Sequence, residues 1–291
     1  MKPGKFTYHA PESLDAAFQL LAEHGDDAKI IAGGQSLVPV MNLRLAQPEH
    51  LIDINALSEL GGIREENDHL MIGSLTRHAE IEVSPLLADR CALLPAAAKH
   101  IGHHAIRNRG TIGGSLSNAD PAAEWSLMAI LLDAQVSILS TRGERQTQAQ
   151  DFIQSVYTVD LETDEIIAGV TFPSLAPGEG WGLNQICRRA GDFAIVSVAA
   201  TITLDSSGNI ENLRTCLGSM DVTPFRLRDV EQDSIGKTPD EAWVEEIAKL
   251  AAGSGSPESD MHASAEYRRE MAAYLTTEVL NEALKRCRAG V

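Results

Sequence analysis

Apolar residues in the first part of the chain alternate between two spacings. Phe6 and Tyr8 sit two apart, as in a short strand, and Leu14, Ala17, Phe18 and Leu21 then recur on one helical face. Ser13 stands where it caps that helix, and Gly25 where it ends. Ile30, Ile31 and Ala32 form a buried strand end, followed at once by Gly33 and Gly34. Ser36 is placed to cap a helix through Leu37, Val40 and Leu43, with Pro39 tolerated in its first turn. With a strand over 51–54, residues 1–55 make a small β-α-β-α-β unit.

The next stretch, 56–176, predicts a strand over 70–72, a short helix capped by Thr76 and running through Ile81, and a helix over 86–100 interrupted by Pro95. A helix over 122–132, a strand over 136–139 turning at Arg142-Gly143, and a strand over 165–172 follow. Pro173 to Pro177-Gly178 reads as a linker. The remainder, 177–291, predicts strands over 182–188, 195–204 and 210–217, the last two joined by a hairpin at 206–209, then helices over 239–252 and 265–288 with a flexible loop at 253–257 between them. This last part is an antiparallel sheet covered by helices, so the fold class is α+β with three parts.

Composition narrows the chemistry. A net charge of −17 without a basic stripe excludes nucleic acid as a natural partner. No apolar run approaches the roughly 20 residues of a membrane span, and Met1-Lys2-Pro3-Gly4 does not begin a signal peptide. The four cysteines (Cys91, Cys187, Cys216, Cys287) are scattered, which suits reduced thiols in a cytoplasmic protein and offers neither iron–sulfur nor zinc spacing. His100, His103 and His104 share a helical spacing, but no carboxylate or cysteine completes a metal set. No metal site is read from the chain.

The glycine segments carry the candidate chemistry. Strand, Gly33-Gly34 and a following helix leave backbone N–H groups for an anion, and glycine lets a ligand approach without meeting a Cβ. Thr111-Ile112-Gly113-Gly114-Ser115-Leu116-Ser117-Asn118 reads as a second such loop, with Arg107 and Arg109 just upstream. In so acidic a protein, aimed amides and local arginines must hold an anion. Neither segment has the glycine spacing of a dinucleotide-binding or P-loop motif.

Ala32-Gly33-Gly34-Gln35-Ser36-Leu37, then Thr111-Ile112-Gly113-Gly114, Asn118-Ala119-Asp120-Pro121 and Gly191-Asp192-Phe193-Ala194, together resemble the flavoprotein (medium) subunit of molybdenum hydroxylases of the carbon monoxide and xanthine dehydrogenase type. The resemblance spans essentially the whole chain. It implies an FAD-binding fold of the vanillyl-alcohol oxidase type, with non-covalent FAD between two N-terminal subdomains and a C-terminal domain. Both glycine segments would contact its pyrophosphate and ribityl part, through Ala32, Gly33, Gly34, Gln35, Ser36 and Leu37 and through Thr111, Gly113, Gly114, Ser115 and Asn118.

By the same resemblance Asp120 or Glu124 would accept from ribityl or ribose hydroxyls, although both also read as helix-N-terminal carboxylates. Ile101 would lie against the flavin, and Ile166 or Ile167 near the adenine, although a buried strand residue is the plainer reading. Arg188, Arg189, Gly191, Asp192 and Phe193 read from sequence as a polar hairpin loop; in the family that loop reaches over FAD, with Phe193 beside the ring where a tyrosine often stands. Gln185 occupies a position where relatives suggest a lysine.

No catalytic acid, base or nucleophile stands out. The expected role is electron transfer, with the molybdenum cofactor and 2Fe–2S clusters on separate large and small partner subunits in a dimer of heterotrimers. A self-contained FAD oxidase or dehydrogenase and a non-catalytic flavin-binding assembly protein are the alternatives.

Overall fold

The computed structural model describes residues 1–290, which form three larger sheets and one two-stranded hairpin. The first unit runs β1 (Thr7–His9), α1 (Leu14–His24), β2 (Ala28–Ile31), α2 (Leu37–Asn42), β3 (His50–Asp53). Its strands pair in parallel in the order β1-β3-β2. Ser13 caps α1 by accepting from the Ala16 N–H, and Gly25 ends the helix at φ +49°. The apolar face predicted for α1, with Ala17, Phe18 and Leu21, packs with Ile52 and Ile54 into a small core.

The second unit is built on five antiparallel strands. β4 (Ile63–Glu66) and β5 (His69–Gly73) precede five short helices: α3 (His78–Glu82), α4 (Pro85–Arg90), α5 (Leu93–His100), α6 (His104–Arg107) and α7 (Ile112–Asn118). Then come α8 (Glu124–Leu131), β6 (Gln135–Ser140), β7 (Gly143–Gln148), α9 (Ala149–Phe152), the small hairpin β8 (Ile153–Ser155) and β9 (Thr158–Val159), and β10 (Ile166–Pro173). The sheet order is β4-β5-β10-β6-β7. All eight residues of α8 are buried. A helix apolar around its whole circumference belongs inside a protein, and α8 sits between this sheet and the next.

The third unit comprises β11 (Gly180–Ile186), β12 (Val196–Leu204), β13 (Ile210–Gly218), β14 (Phe225–Arg226), α10 (Arg228–Ser234), α11 (Glu241–Gly253) and α12 (Ala265–Ala289). On β12, Val196, Val198, Ala200 and Ile202 face α11 and α12, while Ala199 joins the core of the second unit. Its apolar residues alternate with Ser197, Thr201 and Thr203, and Ser197 and Thr201 are buried as well, so the strand is covered on both faces.

Several expectations shift. The break in the predicted 86–100 helix falls at Cys91-Ala92, and Pro95 sits in the first turn of α5, where its missing N–H costs nothing. Thr76 does not cap α3: its hydroxyl donates to the Gly62 carbonyl, and Arg77 takes the N-cap position, with the Glu80 carboxylate accepting from its N–H. Ser36 precedes α2 without making a capping bond. Gly113 and Gly114 lie in the first turn of a helix, not in a loop, because Thr111 caps it. The segment at 253–257 is tied by Arg269, which donates to the carbonyls of Ala252, Ser254 and Gly255. Among the described residues no helix is long and apolar enough to cross a membrane.

Candidate functional site

The loop leaving β2 is the open anchor. Gly34 takes φ +69°, a left-handed value that glycine adopts without strain. The Gln35 amide donates to the Gly33 carbonyl at 3.0 Å, and Asn55 donates to the Ala32 carbonyl at 2.8 Å. The loop's own N–H groups at Gly33, Gly34, Gln35 and Ser36 donate to nothing among the described residues. Backbone donors left unused in this way are available to an anion.

Gly33 lacks a Cβ for a reason other than ligand access. A Cβ there would lie 2.2 Å from the Arg109 carbonyl oxygen and 2.8 Å from the Gly110 Cα. The first glycine loop is pressed directly onto the chain entering α7. Arg77 fastens the junction, donating through Nη1 to the Arg109 carbonyl and through Nη2 to Asn55 Oδ1 at 2.6 Å. The Arg109 side chain is exposed and enters no ion pair among the described residues, so it is an uncommitted cation on the segment that the first glycine loop packs against.

The second glycine pair differs. Ile112 N–H donates to the Thr76 carbonyl, Gly113 N–H to the Ser74 carbonyl at 2.9 Å, Gly114 N–H to the Thr111 hydroxyl and Ser115 N–H to the Thr111 carbonyl. Those amides are spent within the protein, so this segment does not repeat the anion cradle. A Cβ on Gly113 would lie 2.5 Å from the Ser74 Cβ, so that glycine also serves chain packing. The Ser115 and Asn118 side chains, half-buried, remain without a hydrogen-bond partner among the described residues.

Arg107 is no anion holder either. It pairs with Glu82 at 2.7 Å and donates to the carbonyls of Ile101 and Gly102, fixing that turn. Onto the same turn comes the loop between β11 and β12: a Cβ on Gly191 would lie 2.8 Å from the Gly102 carbonyl oxygen. A continuous path of contacts therefore runs from Gly33 through Arg109, Arg107 and Gly102 to Gly191. At its end stands Phe193, 58% exposed. Ile101 is half-buried against the core beneath.

Glu124, at the first turn of α8, is buried and accepts from Gln185 on β11 at 3.2 Å, linking the second and third units. Burial pushes its carboxyl up to about 7. The Gln185 Oε1 is itself buried without a partner. Asp120 accepts from the Ala122 N–H and from the Tyr157 hydroxyl, which shapes the turn into α8. The Ile166 side chain lies wholly in the core, with Leu57, Leu60 and Leu75. Asp192 is exposed beside Phe193.

Several contributors carry no sequence signal of their own. Arg77 and Asn55 become recognisable only once the two glycine segments meet. His78 is buried under Gly110 and accepts from the Trp125 indole N–H at 2.9 Å through Nδ1, which places its proton on Nε2. Burial and the nearby Arg77 and Arg107 hold it at about 4, so it is a neutral strut. Arg268 and Arg269 face away, to Ile195, Asp260 and the loop after α11.

Free amides, an arginine outside any ion pair, unpartnered Ser115, Asn118 and Gln185 groups, and an exposed phenylalanine are groups that an extended ligand with an anionic middle and a flat ring could use. Those features fit FAD. The comparisons agree. The family model "FAD binding domain in molybdopterin dehydrogenase" matches residues 4–175, and "CO dehydrogenase flavoprotein C-terminal domain" matches residues 181–283. This chain belongs to the family of FAD-binding medium subunits of molybdenum hydroxylases.

Among its relatives is the 6-hydroxypseudooxynicotine dehydrogenase complex subunit alpha of Paenarthrobacter nicotinovorans, 38% identical over 99% of this chain and 97% of that one. The carbon monoxide dehydrogenase medium chain of Hydrogenophaga pseudoflava is 36% identical over 99% and 100%. In solved structures, a carbon monoxide dehydrogenase from Hydrogenophaga pseudoflava superposes with a TM-score of 0.95 at 37% identity, covering 99% of this chain and 100% of that one. Quinoline 2-oxidoreductase from Pseudomonas putida 86 gives 0.94 at 35% identity, covering 99% of each. The chain is thus an oxidoreductase subunit of α+β fold that binds FAD.

Proposed function

We propose that this chain is the electron-transfer subunit of a three-subunit molybdenum hydroxylase in the cytoplasm. FAD bound here would supply the redox chemistry of a relay, between iron–sulfur clusters on a small partner subunit, filled by substrate oxidation at a large molybdenum subunit, and an external acceptor. The division of labour is 1–55 and 56–176 for cofactor binding and 177–291 as the C-terminal cover, with the assembly a dimer of heterotrimers.

The chain's own residues bind and orient. The amides of Gly33, Gly34, Gln35 and Ser36 with Arg109 hold the diphosphate, and Ala32 and Leu37 flank it. Thr111, Gly113, Gly114, Ser115 and Asn118 line the ribityl side, with Asp120 fixing the turn beyond. Ile101, Glu124, Gln185, Asp192 and Phe193 surround the ring end, and Ile166 supports the seat from the core. Glu124 and Gln185 exclude water there and place an amide rather than an ammonium near the ring.

The observation carrying this reading is the set of four unused amides joined by one contact path to an exposed Phe193. Relatives that are subunits of multi-subunit dehydrogenases favour relay over a self-contained oxidase. Anaerobic mixing of the FAD-loaded chain with substrate tests it. Flavin absorbance should bleach only when the two partner subunits are added. Bleaching by substrate on this chain alone would contradict the proposal.

A further inference from the structure

Three imidazoles gather on the first unit, away from the contact path just described. His9 ends β1, His24 is the last residue of α1, and His50 opens β3. The parallel register sets His9 beside Ile52 and Thr7 beside His50. Residues two apart on a strand share a face, so His50 lies on the face of Ile52 and therefore of His9. α1 packs against that same face, burying Phe18 and Leu21 with Ile52, and delivers His24 at its end.

The rings are in contact. His24 stacks on His50 with centroids 3.6 Å apart, and His9 lies 5.1 Å from His24 and 5.2 Å from His50. His9 Nε2 and His50 Nδ1 are 2.9 Å apart, and one ring nitrogen from each of the three lies within 4.8 Å of the others. All three are half-buried. No spacing pattern in the sequence announces the group, because its members come from a strand, a helix end and another strand.

We infer that His9, His24 and His50 bind one divalent transition-metal ion of the zinc, nickel or copper class, with a remaining position open to water. Neutral imidazole is a ligand for such ions and a poor one for magnesium or calcium. Three imidazoles plus water is an established zinc coordination set. Metal–nitrogen bonds of about 2.0–2.1 Å would draw the three nitrogens to about 3.4 Å apart, a closure achieved by turning rings at element ends. Two surroundings favour a cation. α1 points its carbonyl end at the group, and residues 1–55 hold seven carboxylates against four Lys and Arg. Bound metal ties strand, helix and strand of the unit whose β2 leads into Gly33, so it stabilises the base of the FAD loop.

The test is calorimetric titration of the chelator-treated, FAD-loaded chain with zinc and with magnesium. One equivalent of zinc and no magnesium should bind. His9→Ala, His24→Ala and His50→Ala should each weaken zinc at least tenfold with flavin content retained, while His103→Ala leaves it unchanged. Zinc K-edge absorption on the unmutated chain should show three imidazole nitrogens at about 2.0–2.1 Å, a reading independent of how the variants fold. No stoichiometric zinc, affinity unchanged in the three variants, or a shell with fewer than three imidazoles would overturn the inference.

Discussion

The Arg109 carbonyl oxygen occupies the space where a Cβ on Gly33 would stand, 2.2 Å from that position. Two segments distant in sequence are thereby pressed backbone to backbone, and the loop whose amides 33–36 stay open is held against the backbone of Arg109 and Gly110. Ligand binding and chain packing are set by one atom's absence.

Gly33→Ala should therefore weaken FAD at least tenfold and lower the melting temperature together, since backbone cannot step aside as a flexible side chain can. Gly143→Ala is the comparison: its φ is +113° but nothing lies within 4 Å of the new Cβ. That variant should lose about 1 kcal/mol of stability and leave flavin affinity within about twofold. Flavin fluorescence titration and thermal melts read both.

Arg77 spans the same junction with two separate donors. Arg77→Ala should loosen the first loop and raise the FAD dissociation constant by about tenfold, near the cost of one charge-assisted hydrogen bond. Arg77→Lys should not restore it, because a single ammonium on a flexible stem cannot serve Asn55 and Arg109 in the guanidinium's fork geometry.

Glu124 governs the neutral-pH behaviour. Its carboxyl, ordinarily near 4.5, is pushed by burial to about 7 in the folded chain. A raised carboxyl contributes stability that is fully present below pH 4.5 and lost as pH rises through 7. Glu124→Gln keeps a neutral group of the same shape. It should remove that slope and stabilise the protein at pH 8 by about 1–3 kcal/mol, as measured by denaturant unfolding across pH.

His78 acts at the acid end. Burial first, then Arg77 and Arg107, hold its imidazole near 4 against an ordinary 6.5. A depressed base gives stability present above pH 6.5 and lost as pH falls through 4. Glu165 is held down to about 2, chiefly by the Arg145 hydrogen bond, so its contribution is present above pH 4.5 and lost as pH falls toward 2. In the Glu124→Gln background, where the opposite slope of Glu124 is absent, denaturant unfolding followed by circular dichroism from pH 7 to 2 should show stability declining first in the histidine window, and adding His78→Gln should flatten that first decline alone.

Much of this was legible in the sequence where local signals and packing agree. Ser13 and Gly25 bracket α1, and the alternation on β12 and the apolar α8 announce their burial. Legibility fails where polar segments gain structure only from neighbours. β7, read as Gly-Glu-Arg-Gln-Thr-Gln, has no apolar face, and it forms because β6 offers it an edge. The α7 glycines look like a loop because glycine is a poor helix former, yet the Thr111 cap and the Ser74 and Thr76 carbonyls take up the first-turn amides. In the site, the strand, the glycine turn at Gly33-Gly34 and the helix after it were readable from local signals. The roles of Arg77, Asn55 and His78 follow from contacts across the fold and leave no mark in local spacing.

The most direct measurement is amide hydrogen exchange by mass spectrometry on the chain with and without saturating FAD. The amides of Gly33, Gly34, Gln35 and Ser36 should exchange rapidly in the free chain and become protected on binding, whereas Ile112, Gly113, Gly114 and Ser115 should be protected in both. Unchanged exchange at 33–36 under full flavin occupancy would contradict the account, because the diphosphate would then lie elsewhere.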